Sequence, residues 1–469
     1  MKDLFVKLCN PRAICQPNGG GVDTVSCLIT ANQFFQNKDF VNAVEFYQRA
    51  YAMDPQNGRV CNSLAAAYEG MGDLSRAGEI FEKVISLNPN SAEPYFQLAR
   101  VLLHQGRQVG DEEKIKRAIE LLAHALVRDP SLTPAHKLLE NLLTIYGTPN
   151  VRLDVYEYLL NARPDVFDYG PLRLRIEASA ACNLRCQHCP TGTSYARQNK
   201  EIMSLTTFEV VVRQIQQLPL VFNAFLYLGG EPLLNKHLPA MCQRLHNETI
   251  IESVQFTTNA MLVTEEICIA LREAKVEKII ISIDGHSPEE NDLIRRGAEY
   301  RTIVKNAHLL KESLGEVTKF LISNIVIKRP GDPENPSIPD FLQQDFPSFP
   351  ITTEYAMKWP GLDIGASGLK ELTLSASRPD DFCVMPFTNM SVKANGDVVM
   401  CCYDLLGEEV MGNIYNSDLL SIWRSDRYRQ LRKDVLAKNR EALPGICQRC
   451  KRYTGETIIM KTFKPNTGH

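Results

Sequence analysis

The chain has 469 residues, 44% hydrophobic and 23% charged, which is the composition of a folded protein of roughly three domains. Lys and Arg number 52 against 55 Asp and Glu, a net charge of −3, so neither a basic nucleic-acid-binding surface nor an acidic tail is implied. The opening MKDLFVKLCNPRAICQPNGGG lacks the apolar core of a signal peptide, and no run of about 18 apolar residues occurs, so a cytoplasmic protein without membrane contact is expected. In that reducing setting the 14 cysteines are read for metal ligation rather than for disulfides.

Residues 1–23 form a Gly/Pro-bearing leader, and from Thr24 to Tyr146 the sequence repeats itself. Phe34/Tyr68, Ala43/Ala77, Tyr47/Phe81 and Pro55/Pro89 recur at a fixed interval, with small residues where two helices would touch and a proline after the second. This pattern resembles the tetratricopeptide repeat, a two-helix unit about 34 residues long. A third copy holds Tyr95, Leu98, Ala99, Ala118, Ala125 and Pro130, and its extra length is expected around RQVGDEEKI, between its helices. TPAHKLLENLLTIYG reads as a closing helix, because stacked repeats need a cap. Such arrays present a groove to a peptide or protein, and an intramolecular spacer or dimerisation surface is the alternative.

Residues 147–171 read as a linker, after which strand-like and helix-like stretches alternate. The strands are expected at 172–179, 224–230, 254–259, 278–284, 320–328 and 352–359. Crossovers of this length require a parallel sheet, curled into a partial (β/α)6 barrel of the TIM-like α/β type over residues 172–378. Chemistry in such folds sits beyond the carboxyl ends of the strands. The polar segments ACNLRCQHCP, GGEP, TTNA and SIDG fall at those ends.

Cys182, Cys186 and Cys189 lie within eight positions of one another. Structural zinc takes four ligands, and His188 adjoins Cys189 too closely for both to turn toward one ion. Three thiolates on an iron-sulfur cluster leave one iron without a protein ligand, which is a place for chemistry. CxxxCxxC after the first barrel strand, followed by GGEP and the later strand-end polar residues, resembles the radical S-adenosylmethionine (SAM) superfamily.

The resemblance implies that Cys182, Cys186 and Cys189 hold a 4Fe-4S cluster whose open iron chelates SAM, and that cleavage of SAM gives a 5′-deoxyadenosyl radical. It implies that Gly229, Gly230 and Glu231 receive the methionyl amino group, and that Thr258, Asn259, Ser282 and Asp284 meet the methionyl and ribose groups. Arg295 would pair with the SAM carboxylate, with Arg296 as the alternative, and His188 takes the place near the adenine. Each also has a plainer reading: Glu231 as a helix cap, Arg295 as a solvated charge, Asp284-Gly285 as a turn.

Residues 379–469 form a small α+β extension in which Cys383 precedes a hairpin turning at NGD, the return strand reaches Cys401 and Cys402, and Cys447 and Cys450 make a CxxC. In isolation four such thiolates would suggest zinc. After a barrel of this kind they resemble the SPASM or twitch extension, which implies an auxiliary 4Fe-4S cluster on Cys383, Cys401, Cys447 and Cys450. Cys402 is left over, as packing, as a substitute ligand, or as a hydrogen-atom donor to a substrate radical.

The resulting expectation is an oxidoreductase or maturase that abstracts a hydrogen atom from a peptide or protein, leading to oxidation, crosslinking or epimerisation. Its auxiliary cluster would conduct the second electron, and a flavodoxin or ferredoxin would supply the first. A dehydrogenase or epimerase acting on a sugar or aminocyclitol is the alternative, and a non-catalytic iron-sulfur scaffold the third reading.

Overall fold

The computed structural model describes residues 23–147, 149–192, 199–329, 331–357, 359–360, 362, 369–372, 383–450 and 457–460. Two compact units divide near Val166. The leader proper, the boundary expected at 378–379 and the tail after Met460 lie outside the described residues.

The first unit is a run of paired helices: α1 (Thr24–Gln36), α2 (Phe40–Met53), α3 (Gly58–Met71), α4 (Leu74–Leu87), α5 (Ala92–Val109), α6 (Glu112–Arg128), α7 (Thr133–Ile145) and α8 (Pro149–Ala162). The starts of α1 to α4 and of α6 are fixed by Asp23, Asp39, Asn57, Asp73 and Asp111, whose side chains accept from backbone amides of the first turn. Gly72 and Gly110 end α3 and α5 in the left-handed conformation, at φ of 80° and 68°. Ala43, Ala77, Ala118 and Ala125 are fully buried where helices meet, and Cys27 and Cys61 are core residues.

Two expectations are corrected in this unit. The extra length of the third copy goes into its helices, which run 18 and 17 residues against 14 each for α3 and α4, while the connecting turn stays short at Gly110. Elongating an existing helix adds one hydrogen bond per residue, whereas a longer loop adds none. Residues 149–162, expected as linker, form α8, whose Tyr156 hydroxyl donates to Glu140 of α7 at 3.3 Å and whose Tyr158 hydroxyl lies 2.8 Å from His124 Nδ1 of α6.

The second unit is built on one nine-stranded sheet. Its strands are β1 (Arg173–Ile176), β2 (Asn223–Phe225), β3 (Ser253–Thr258), β4 (Lys278–Asp284), β5 (Lys319–Val326), β6 (Ile351–Tyr355), β7 (Asn389–Val392), β8 (Asp397–Val399) and β9 (Val410–Asn413). β1 to β6 pair in parallel in chain order. On one face Leu174, Ile176, Phe256, Ile279, Ile281 and Ile322 pack against helices that contribute Phe208, Met241, Leu271 and Ile303. The opposite positions, among them Arg175, Phe225, Ser282 and Ser323, form the inner face.

The extension is not a separate layer. β7 pairs in parallel with β1, Arg173 facing Asn389 and Ile176 facing Val392, and β8 and β9 follow antiparallel. The hairpin turn at Gly396 takes φ 88°, which the glycine permits without strain. Trp423 is fully buried against Tyr428, and its indole N–H donates to the Phe167 carbonyl. No helix of the described residues is long and apolar enough to cross a membrane.

Candidate functional site

The cysteine loop that follows β1 is held from two sides. Toward β2, the Gly230 amide donates to the Ser179 carbonyl at 3.0 Å and the Glu231 amide to the Ala181 carbonyl at 2.8 Å. A Cβ on Gly230 would stand 2.0 Å from the Ala181 oxygen, so no side chain fits there. Toward the segment after β4, Arg185 and Cys186 bridge antiparallel to Arg296 and Arg295, and the Gln187 amide donates to the Ile294 carbonyl at 2.9 Å. Sequence spacing gives no sign of this second clamp, because a two-residue bridge has no periodicity.

Glu231 is buried and accepts three hydrogen bonds. Its Oε1 accepts from the Thr258 hydroxyl at 2.7 Å and the Leu233 amide at 3.1 Å, and its Oε2 from the Asn259 amide at 2.8 Å. The cap reading of this residue therefore holds alongside any ligand role. Burial pushes its carboxyl up, against the three donors and Arg295. Asn259 turns its side-chain amide to Asn183 Oδ1 at 2.8 Å, tying β3 to the cysteine loop.

Across the site, Arg295 Nη1 donates to Asp284 Oδ2 at 3.2 Å, both side chains being less than a tenth exposed. Arg295 is thus no solvated charge, and it is Arg295 rather than the exposed Arg296 that turns inward. His188 Nε2 stands 3.7 Å from the same Asp284 oxygen, and burial holds its imidazole below the usual range, against the pull of Asp284. Asp284 also marks the turn: Gly285 follows at φ 84°, its amide donating to the Ile325 carbonyl. Ser282 is half-buried on the inner face of β4.

The three thiols share this space without a disulfide. Burial raises Cys182 to about 11 and Cys186 to about 12, and Cys189 in the same direction. Arg295 opposes all three shifts. The Leu184 amide donates to Cys182 Sγ at 3.4 Å. Two buried nitrogens, His188 Nδ1 and Arg295 Nε, have no hydrogen-bond partner among the described residues and are open to a polar group.

A second thiol group lines one cavity in the extension: Cys383, Cys401, Cys447 and Cys450, with Met385 and Tyr403 beside them. Cys402 does not line it; it packs instead with Leu228, Val399 and Leu405 on the barrel side. The Tyr403 amide donates to Cys401 Sγ at 3.5 Å. Among the described residues no three His, Cys, Asp or Glu side chains converge on a single-ion position.

The donor sets therefore fit the groups that the sequence pattern implies. Three thiols with buried nitrogens nearby would leave a coordination place for a polar ligand, and four thiols around one cavity would suffice for a second cluster.

The radical SAM superfamily model matches residues 176–328, and an iron-sulfur cluster-binding SPASM domain matches 383–451. Two tetratricopeptide repeat models match 34–81 and 80–113. Among curated proteins, GTP 3′,8-cyclase of Alkaliphilus metalliredigens is 30% identical over 142 residues, 30% of this chain and 43% of that protein. GTP 3′,8-cyclase of Xanthomonas campestris is 35% identical over 135 residues, 28% of this chain and 39% of its own. The chain thus spans under half the length of these relatives. Among solved structures, BtrN in complex with AdoMet and 2-DOIA is 20% identical, covering 60% of this chain and 92% of its own, with TM-score 0.41. Streptococcus suis SuiB bound to precursor peptide SuiA is 18% identical, covering 67% and 83%, also at TM-score 0.41.

Proposed function

We propose, from the premise that residues 176–328 form a radical SAM domain and residues 383–451 a SPASM domain, that the chain abstracts a hydrogen atom from a peptide or protein substrate. A radical SAM domain works with a 4Fe-4S cluster and SAM, and a SPASM domain adds auxiliary iron-sulfur; bound here, they supply one-electron cleavage of SAM to a 5′-deoxyadenosyl radical.

The observation that carries the proposal is the convergence of Cys182, Cys186 and Cys189 with Glu231 and the buried Asp284–Arg295 pair at the carboxyl ends of β1, β2 and β4. The three thiolates would hold the first cluster. Gly229 and Gly230 let the backbone approach a ligand closely, and Glu231, charge-stabilised by Thr258 and Asn259, orients its amino group. Arg295 keeps an unpartnered Nε for the carboxylate while Asp284, with Ser282 on the same face, meets hydroxyls of the ribose. His188, beside Asp284 and only partly exposed, flanks the adenine side. Cys383, Cys401, Cys447 and Cys450 would hold the auxiliary cluster, which accepts the second electron of an oxidation. Cys402, outside that cavity and packed against Leu228, would give the hydrogen atom if the outcome is epimerisation.

Repeats of this kind serve protein interaction. A groove on the array, lined by Asn32, Tyr47, Asn62, Glu69, Gln97 and Arg100, supports a peptide over a sugar. Asn62 Oδ1 there is buried without a hydrogen-bond partner, ready for a peptide N–H. A flavodoxin or ferredoxin in the cytoplasm would deliver the first electron.

Anaerobic reconstitution followed by assay of 5′-deoxyadenosine tests the reading. Reduced protein with about eight irons per chain should form it. Failure to do so with dithionite, SAM and candidate peptides present would remove the enzyme proposal. Modification of a peptide by wild type, lost in a chain carrying Asn62→Ala and Arg100→Glu that still cleaves SAM, would support the groove as the docking place.

A further inference from the structure

Arg175 has no place in the chemistry above, yet it sets a half-buried guanidinium on the inner face of the barrel. It sits on β1 between Leu174 and Ile176, which face the helices, so its own side chain points inward. The guanidinium lies 4.7 Å from the Phe225 ring centroid and 5.3 Å from that of Tyr227. Among the described residues no carboxylate pairs with it, and its Nε is buried without a hydrogen-bond partner. A guanidinium donor withdrawn from water is costly unless an acceptor completes it.

The aromatic contacts explain only half of the side chain. Rings stacked on a guanidinium satisfy its face, while its N–H donors point out in the plane as a fork matched to two oxygens of one oxyanion. The register partner of Arg175 on β7 is Ser391, fully buried, with a hydroxyl that also lacks a partner among the described residues. Two adjacent strands thus present unsatisfied polar atoms on the same face. Along the chain, this face leads upward to the cysteine loop from β1 and to Gly229 from Tyr227. Burial opposes the charge of the Arg175 guanidinium, while the Cys402 thiol, the Tyr227 hydroxyl that hydrogen-bonds it, and the Cys401 thiol favour it, which leaves the Nε as the donor without a partner among the described residues.

We propose that Arg175 anchors an anion subsite inside the barrel, which takes a carboxylate or phosphate group carried by the substrate. The proposal rests on the reading of the barrel as a substrate chamber and deepens it: the substrate is an anionic one, held by its charged group while the radical acts at a carbon above. The rival use of the cation is as counter-charge to the auxiliary cluster.

The test uses the full chain, anaerobically reconstituted, with inorganic phosphate and acetate as probes in equilibrium dialysis, and compares wild type with Arg175→Gln and Arg175→Lys. Melting temperature and iron content establish that each variant is folded. Wild type should bind one equivalent of phosphate or acetate, the tighter of the two naming the group. Arg175→Gln should weaken that binding at least about tenfold, and Arg175→Lys, which keeps the charge but loses the fork, should fall between. Equal binding by wild type and Arg175→Gln, or none by wild type, overturns the subsite. So does a shifted reduction potential of the auxiliary cluster in Arg175→Gln with anion binding unchanged, which would assign the cation to the cluster. No turnover is needed, so a chain that binds anion through Arg175 but forms no 5′-deoxyadenosine defeats the proposed reaction and not this subsite.

Discussion

The Gly230 α-carbon packs against the Ala181 carbonyl so closely that an added methyl carbon would stand 2.0 Å from its oxygen. Gly230→Ala should therefore push the cysteine loop away from Glu231. The expected result is a loss of about 1–3 kcal/mol in stability, with iron at the first cluster and 5′-deoxyadenosine formation falling together. Denaturant unfolding and iron analysis check it; a variant with wild-type iron and activity would show that the loop does not depend on this contact.

Cys401 and Cys402 are neighbours in sequence, but only Cys401 lines the four-thiol cavity. Cys401→Ser should cost about half the iron of the reconstituted chain, whereas Cys402→Ser should keep all of it. Cys182→Ser should remove the complementary half. Mössbauer or EPR signals of the two clusters separate these losses, and iron loss from Cys402→Ser would reassign the ligand.

The Asp284–Arg295 pair is buried on both sides. Removing either partner leaves a charge in a dry site, so Asp284→Asn and Arg295→Gln should each destabilise the chain by about 3–5 kcal/mol before any ligand is added. The double variant should be less damaged than the sum of the two, since it leaves no lone charge. A strictly additive cycle in chemical denaturation would mean that the pair contributes nothing as a pair.

In the helical array, His136 is buried with Nε2 2.8 Å from the Pro130 carbonyl, and burial lowers its pKa from 6.5. His124 shifts the same way through burial and the nearby Arg128 and Arg117. Folded-state values below the unfolded one mean that stability is intact above pH about 6.5 and is lost as pH falls, when only the unfolded chain takes up the protons. The loss should approach about 1.4 kcal/mol per pH unit for the buried His136, and be smaller for the half-exposed His124, whose charge solvent screens. Melting of the array followed between pH 7.5 and 5.5 should show this slope, and His136→Gln should flatten it.

The array and the alternation of β1 to β6 were legible because both have strict periods. Recurrent alanines at helix contacts and runs such as KIIISID state their geometry in one dimension. Residues 149–162 hid their helix because Pro149 and Pro164 bracket it and its apolar face is weak, so tertiary packing through Tyr156 and Tyr158 decides it. The strand-end residues could be read as candidates, but not their mutual bonds: nothing in the order of Glu231, Thr258 and Asn259 says that one carboxylate gathers the other two. Arg175 was available to inspection as a charge at an inward position between two core residues. It stood outside the motifs, where attention to alternation alone would have found it.

The parallel pairing of β7 with β1 has a consequence for synthesis. The amide of Ala394 reaches the carboxylate of Glu177, 217 positions earlier, at 3.0 Å. Until the hairpin leaves the ribosome, the first strand of the barrel waits with one edge unpaired, a template for wrong partners. Contacts so distant along the chain close slowly. The last hundred residues therefore act as the closing stitch of a fold begun long before them, and a chain cut short at residue 378 should aggregate rather than yield a working barrel.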